Sequence, residues 1–294
     1  MMGIITKILG SIYTVYSDGK RFECRARGLF RHTGETPLVG DMVEFSADES
    51  GKGTIQKILA RRNEFLRPPV ANVDAMVIVA SAAIPVTEPF LIDRMAAVAL
   101  SSDVRPIICI NKADIDYADE LFRIYSQSAL PVFRVSASTG EGIDGLIGAL
   151  YGSTGVLTGN SGVGKSSILN ALGLEIAVGE VSDKLGRGRH TTRHVEIHTL
   201  KNPKGPEAYI IDTPGFSSFD TGKMSLTEQS DIEHGFPEFE PYLGLCRFRN
   251  CVHVKEPGCA VLDALKSGAI GASRHRSYVR LLDVAKDLKA REYK

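Results

Sequence analysis

Two short stretches carry residues whose types and spacing could act on a nucleotide. Gly159-Asn160-Ser161-Gly162-Val163-Gly164-Lys165-Ser166 is a complete G-x-x-x-x-G-K-[ST] loop, preceded by a strand-like "GVLT" and followed by a helical stretch. Glycines let the backbone curl around phosphates so that successive N–H groups point inward, and the following helix start adds partial positive charge. Lys165 then reaches the outer phosphates as a catalytic cation. Ser166 supplies a hydroxyl to Mg²⁺, and the adjacent Ser167 completes the phosphate-binding set. The second stretch, Asn111-Lys112-Ala113-Asp114, ends the apolar run "RPIICI". A carboxylate there can accept from both N1–H and N2–H₂ of guanine. Adenine offers no such donor pair and would leave a buried Asp114 unpaired. Ser136-Ala137 ends the next strand-like run, "PVFRV", where a backbone N–H can donate to guanine O6 and Ser136 can brace Asp114.

Three further features belong to the same chemistry. Asp212-Thr213-Pro214-Gly215 closes the run "AYIID" and offers a carboxylate for the Mg²⁺ shell and the Gly215 N–H for a γ-phosphate. The basic, Gly-rich stretch "GRGRHTTRH" at 186–194 has the texture of a mobile switch loop. Thr192 or Thr191 supplies its Mg²⁺ hydroxyl, with Thr192 preferred. Many GTPases carry Gln after D-x-x-G to orient the attacking water, whereas this chain has Phe216. His190 is the nearest polar substitute in sequence, as the water-positioning residue. The alternatives are that His190 faces solvent or RNA, or that a partner supplies the group in trans.

These motifs require a parallel, doubly wound sheet to hold them at strand ends. "VDAMVIVASA" from 73 reads as a strand buried on both faces. Helices are expected near 88–101, 117–128 and 142–150, alternating with strands. The base reader precedes the phosphate loop, the reverse of the ordinary GTPase order, so the expected domain is circularly permuted, over 69–234. Before it, residues 1–68 show five short alternating segments separated by turn signals such as Asp18-Gly19, the pattern of an oligonucleotide-binding (OB) type β-barrel. "RRNEFLRPP" reads as an exit linker. After it, 235–294 carries Cys246, Cys251, His253 and Cys259 in a C-x₄-C-x-H-x₅-C pattern, then a helical tail. Three thiols and an imidazole fit a closed, structural Zn²⁺ set, the alternative being three reduced thiols in a small core. Cys24 and Cys109 read as inert core thiols, and His32, His194, His198, His234 and His275 as surface or RNA-facing.

The 294 residues are 43% hydrophobic and formally neutral, but the charge is uneven. Residues 1–68 carry 11 basic against 8 acidic side chains, 69–234 carry 13 against 20, and 235–294 carry 11 against 7. Basic ends around an acidic middle fit a polyanion bound at the ends and a small ligand in the middle. Lys20, Arg21, Arg25, Arg27 and Arg31 are the barrel's RNA-facing set, with Tyr13, Tyr16, Phe22 and Phe30 as stacking candidates, at least half of which are expected to pack in the core instead. Arg274, Arg276 and Arg280 are the tail's, unless they only solvate a helix. No apolar run reaches the roughly 18 residues of a membrane span, and the N-terminus lacks a leader pattern, so a soluble cytoplasmic protein is expected. With nothing in the sequence pointing to an obligate oligomer, a monomer is the expectation.

The barrel, the permuted motif order and the Cys/His domain together resemble the RsgA (YjeQ-type) family of ribosome small-subunit-dependent GTPases, over essentially the whole chain. The resemblance implies hydrolysis of GTP to GDP, with Mg²⁺ as cofactor and one structural Zn²⁺. It further implies late maturation of the small ribosomal subunit, rRNA binding and stimulation by that subunit, with neither membrane nor DNA as partner. Phe216 keeps open a non-catalytic, GTP-switched RNA-binding assembly module. An ATP-dependent kinase would require the guanine reader to be accidental.

Overall fold

The computed structural model describes residues 1–28, 30, 35–66, 69–174, 195–212, 226 and 228–292. The chain opens with five strands, β1 (Met2–Leu9), β2 (Ile12–Ser17), β3 (Lys20–Ala26), β4 (Met42–Ala47) and β5 (Lys52–Ile58). They match the five alternating segments. Strand β1 pairs with β2 and β4, β2 with β3, β3 with β5 in parallel, and β4 with β5, so the sheet closes on itself in OB-type order. Period-two alternation does the sorting: Val43 and Phe45 point inward from β4 while Met42 and Glu44 do not. The barrel core is Ile5, Val15, Cys24, Phe30, Val43, Phe45, Ile55 and Ile58, with Tyr13 and Phe22 packed against it. Phe30, Tyr13 and Phe22 are therefore packing residues first, and Arg31 lies outside the described residues.

The stretch read as an exit linker is folded instead. Strands β6 (Glu64–Leu66) and β7 (Pro69–Ala71) pair antiparallel, and Phe65 and Val70 are buried. Arg61 explains why. Its guanidinium makes a fork with both oxygens of the fully buried Asp41, each at 2.8 Å, and also donates to the Thr36 carbonyl. The basic run that looked like linker chemistry is an internal clamp.

Beyond it come β8 (Ala75–Ser81), α1 (Pro89–Ser101), β9 (Arg105–Asn111), α2 (Asp119–Ser126), β10 (Val132–Arg134) and α3 (Ile143–Leu150). Strand β11 (Thr154–Thr158) leads to α4 (Lys165–Ala171), followed by β12 (Glu196–Leu200) and β13 (Ala208–Asp212). The C-terminal part holds α5 (Gln229–His234), a 3₁₀ turn (Pro237–Tyr242), α6 (Ala260–Ser267) and α7 (Ala272–Glu292). No helix among the described residues is long and apolar enough to cross a membrane.

The chain forms two compact units. One gathers 1–75, 150–157 and 173–216. In it β13 runs parallel to β11 but antiparallel to β12, and β12 meets β1 at Lys7↔Glu196. That antiparallel pair departs from the all-parallel sheet the strand–helix alternation predicts. The other unit gathers 76–149, 158–172 and 217–294. Strand β8 is wholly buried, β9 lies between β8 and β10, and β9 and β10 run parallel.

In this second unit α7 packs on α1 around an ion-pair network. Arg274 is 1% exposed and donates to Asp93 Oδ1 at 2.6 Å and to the two oxygens of Glu238 at 2.7 and 3.1 Å. Asp93 is fully buried and also accepts from the Tyr125 hydroxyl. The Arg274 guanidinium lies 4.4 Å from the Phe236 ring centre, beside Phe239 and Tyr278, which meet edge to face. Arg274 is thus neither a phosphate contact nor a solvated helix residue. Removing it strands two buried carboxylates, so Arg274→Ala should lower stability by about 3–5 kcal/mol in chemical denaturation. Arg276→Ala, at an exposed position of the same helix, should change it by less than about 0.5 kcal/mol.

Candidate active site and metal centre

The phosphate loop emerges from β11 with backbone that only glycine can supply. Gly159 has φ 141°, and a Cβ there would sit 2.2 Å from the Val79 carbonyl oxygen. Gly164 has φ 96°, and a Cβ there would meet Asn111 Nδ2 at 2.3 Å. Both fail for an L side chain on backbone conformation and on space. Lys165 arches back over the loop, its ammonium donating to the Gly159 and Asn160 carbonyls at 2.8 Å each. Burial lowers its pKa below the ordinary 10.5. Val163 is buried, while Ser161, Gly162, Ser166 and Ser167 are exposed, leaving the hydroxyls of the first turn of α4 accessible.

The Asn111 side chain joins this loop to the base reader. Its Nδ2 donates to the Val163 carbonyl at 2.9 Å, and its Oδ1 accepts from the Ala137 N–H at 3.1 Å. Ala137 therefore commits its N–H to Asn111 rather than holding it for a base. Lys112, at φ 68°, sends its ammonium to the Ile84 carbonyl. Asp114 is exposed, not buried as its place at a strand end predicts. Its two oxygens are still fixed: Ser136 Oγ donates to Oδ1 at 2.7 Å and Ser138 Oγ to Oδ2 at 2.9 Å. These hydroxyls, Ser136 first, lower the Asp114 pKa and keep the carboxylate an acceptor. Sequence reasoning identified Ser136 but missed Ser138, whose only signal is its spacing of two from Ser136.

Asp212 ends β13 as expected. His190, Thr191, Thr192, Gly215 and Phe216 lie outside the described residues, as do His32 and His194.

The cysteine pattern does converge. One ligand atom each from Cys246, Cys251, His253 and Cys259 lie within 4.8 Å of one another. Cys246 Sγ is 3.8 Å from Cys259 Sγ, and His253 Nδ1 is 3.5 and 3.3 Å from those two sulfurs. A tetrahedron with metal–sulfur bonds of about 2.3 Å has edges of about 3.8 Å, so the spacing fits zinc. Cys259 caps α6 and accepts from the Leu262 N–H. Burial opposes its ionisation, but that hydrogen bond and His253 overcome it and the pKa falls. Cys24 and Cys109 are buried free thiols, pushed up to about 11 and about 12 by burial, and remain inert. His275, read as surface-facing, is buried instead, with Nε2 2.8 Å from the His253 carbonyl oxygen.

The lowered Lys165 pKa sets a pH signature. Phosphate oxygens favour the ammonium, so binding a nucleoside triphosphate raises that pKa again, and the complex takes up protons. Affinity is then full below the Lys165 pKa of the free protein and falls as pH rises through it. Calorimetry in two buffers of different ionisation heat, repeated over a series of alkaline pH values, should detect that uptake growing as pH rises. Lys165→Arg, charged throughout this range, should abolish it.

Comparison with known proteins agrees with the motif order. The RsgA GTPase family model matches residues 58–222 and the RsgA N-terminal domain model residues 2–55. A relative from Geobacillus thermodenitrificans, named small ribosomal subunit biogenesis GTPase RsgA, is 41% identical over 98% of this chain and 99% of its own. One of the same name from Halalkalibacterium halodurans is 40% identical over 99% of each. The crystal structure of YjeQ from Thermotoga maritima superposes with TM-score 0.78 at 34% identity, over 97% of this chain and 98% of that one. That of YloQ, described as a circularly permuted GTPase, gives 0.79 at 34% identity over 97% and 95%. Permuted order, closed barrel and Cys₃His cluster thus converge on one assignment: the chain belongs to the RsgA family of circularly permuted GTPases.

Proposed function

We propose that this protein hydrolyses GTP to GDP and phosphate as a late maturation factor of the small ribosomal subunit, and that the subunit stimulates the reaction. The observation that carries the nucleotide reading is the Asp114 carboxylate, held ionised by Ser136 and Ser138 and linked through Asn111 to the phosphate loop. The subunit reading rests on the names the relatives carry.

In this reading Asn111, Lys112, Asp114 and Ser136 form the base side, with the Ala137 N–H bracing Asn111. Gly159 to Ser167 hold the phosphates, with Lys165 on the outer ones. Asp212, Gly215 and Thr192, or Thr191, complete the γ-phosphate side. Mg²⁺, held by Ser166, Asp212 and Thr192, would neutralise charge on the transferring phosphoryl group. His190 positions the water whose oxygen bonds the γ-phosphorus as the bond to the β–γ bridging oxygen breaks. Cys246, Cys251, His253 and Cys259 hold one structural Zn²⁺.

The working division is a barrel over 1–68, a permuted GTPase domain over 69–234 and a metal-binding domain over 235–294. Lys20, Arg21, Arg25 and Arg27 are exposed on the barrel, and Arg276 and Arg280 on α7. These two basic sets are the proposed rRNA contacts. The protein would act as a cytoplasmic monomer, without membrane or DNA partners.

The test is GTP turnover with and without purified small ribosomal subunits at two salt concentrations. The expected result is stimulation that weakens steeply with salt, because Lys and Arg contacts to phosphate release counterions. Intact GTP binding without stimulation would overturn the subunit reading. His190→Ala should cut subunit-stimulated turnover by roughly a hundredfold with GTP affinity unchanged. Full stimulated turnover in that variant would remove His190 from the mechanism.

A further inference from the structure

We infer that Glu233 is a positioning residue for the metal ligand His253, tying helix α5 to the metal centre; this rests on the zinc reading above. His253 turns its two ring nitrogens to different tasks. Nδ1 faces the Cys246 and Cys259 sulfurs, at 3.5 and 3.3 Å. Nε2 lies on the other side, 3.2 Å from Glu233 Oε1. A metal-bound imidazole must be neutral, so with Nδ1 on the metal the ring's one proton sits on Nε2 and is donated to Glu233. This carboxylate–histidine–metal arrangement fixes the tautomer and ring plane and makes the ligand nitrogen a better donor.

The surroundings are built to hold Glu233 there. Its side chain is 16% exposed. Oε1 accepts from Gln229 Nε2, one turn earlier on α5, and the Tyr278 hydroxyl of α7 lies 3.5 Å away. Gln229 also donates to the Cys251 carbonyl at 2.8 Å, and Tyr278 to the Val252 carbonyl at 3.1 Å. The ligand loop is therefore pinned at 251, 252 and 253 by the helices that carry Glu233 and Tyr278, with His275 at the His253 carbonyl. His253 itself has φ 58°, a left-handed conformation that few non-glycine residues adopt, histidine more often than most. It is held there by groups on α5 and α7, outside the Cys/His stretch, so the four ligands are not a self-contained knuckle.

The experiment uses the full chain. Zinc content of the purified protein is measured first, then the rate of zinc release to a chromophoric chelator for wild type, Glu233→Gln and Glu233→Ala. Glu233→Gln keeps the shape and a weaker acceptor. The Co²⁺-loaded forms are compared by their visible ligand-field spectra, which a merely structural role of Glu233 would leave unmoved. The expected result is release faster by about 10–100-fold in Glu233→Ala, an intermediate rate in Glu233→Gln, and a shifted Co²⁺ spectrum in both. Wild-type protein without zinc, and unable to take up Co²⁺, would overturn the zinc reading itself. Metal-loaded variants that match wild type in release rate and spectrum would overturn the role of Glu233 alone.

Discussion

One side chain holds the nucleotide site together. Asn111 ends strand β9, donates to the Val163 carbonyl of the phosphate loop and accepts from the Ala137 N–H at the start of the loop that carries Ser138. Three segments far apart in sequence meet on one carboxamide. Gly164 leaves no room for a side chain against that amide, so the loop's glycine and the base reader's asparagine constrain each other. This contact is blind to chain order. It requires only that the strand ends lie where they lie, which explains how the motifs can be met in permuted sequence and still form one site.

A similar reliance on a few polar side chains recurs in the C-terminal part of the second unit. Arg274 pairs with Asp93 Oδ1 and with both oxygens of Glu238 at a nearly enclosed site, and Gln229 and Tyr278 pin the carbonyls of the ligand loop. Helix α5 is the first helix described after Asp212, and it delivers both Gln229 and Glu233. The metal cluster, the aromatic group of Phe236, Phe239 and Tyr278, and the Arg274 network are thus successive parts of one packed region.

The sequence displayed whatever depends on short spacing. The phosphate loop, the Asn111–Asp114 reader, the Cys₃His set and the five barrel strands are local patterns, because backbone curvature, strand period and ligand spacing act over a few residues. The misses depend on partners far along the chain. Arg274 looked like a phosphate contact because Asp93, 181 residues away, carries no local sign of being its partner. Arg61 looked like part of a basic linker for the same reason, with Asp41 twenty residues earlier. Asp114 was expected to be buried because it ends a buried strand, but the turn after β9 lifts it into solvent and Ser136 and Ser138 supply the fixation that burial would have given. His275 is paired through a backbone carbonyl, which no residue pattern displays.

The most direct test of this account is the affinity of Asn111→Ala for GTP and for ATP, each measured in competition with a fluorescent nucleotide and compared with the wild-type protein. ATP engages the phosphate loop but not the base reader. If one carboxamide holds both halves, the variant should weaken ATP as well as GTP, each by about tenfold or more, the loss expected when buried polar groups are left unpaired. A loss confined to GTP, with ATP affinity unchanged, would mean that base and phosphate sites stand independently, and would contradict the account.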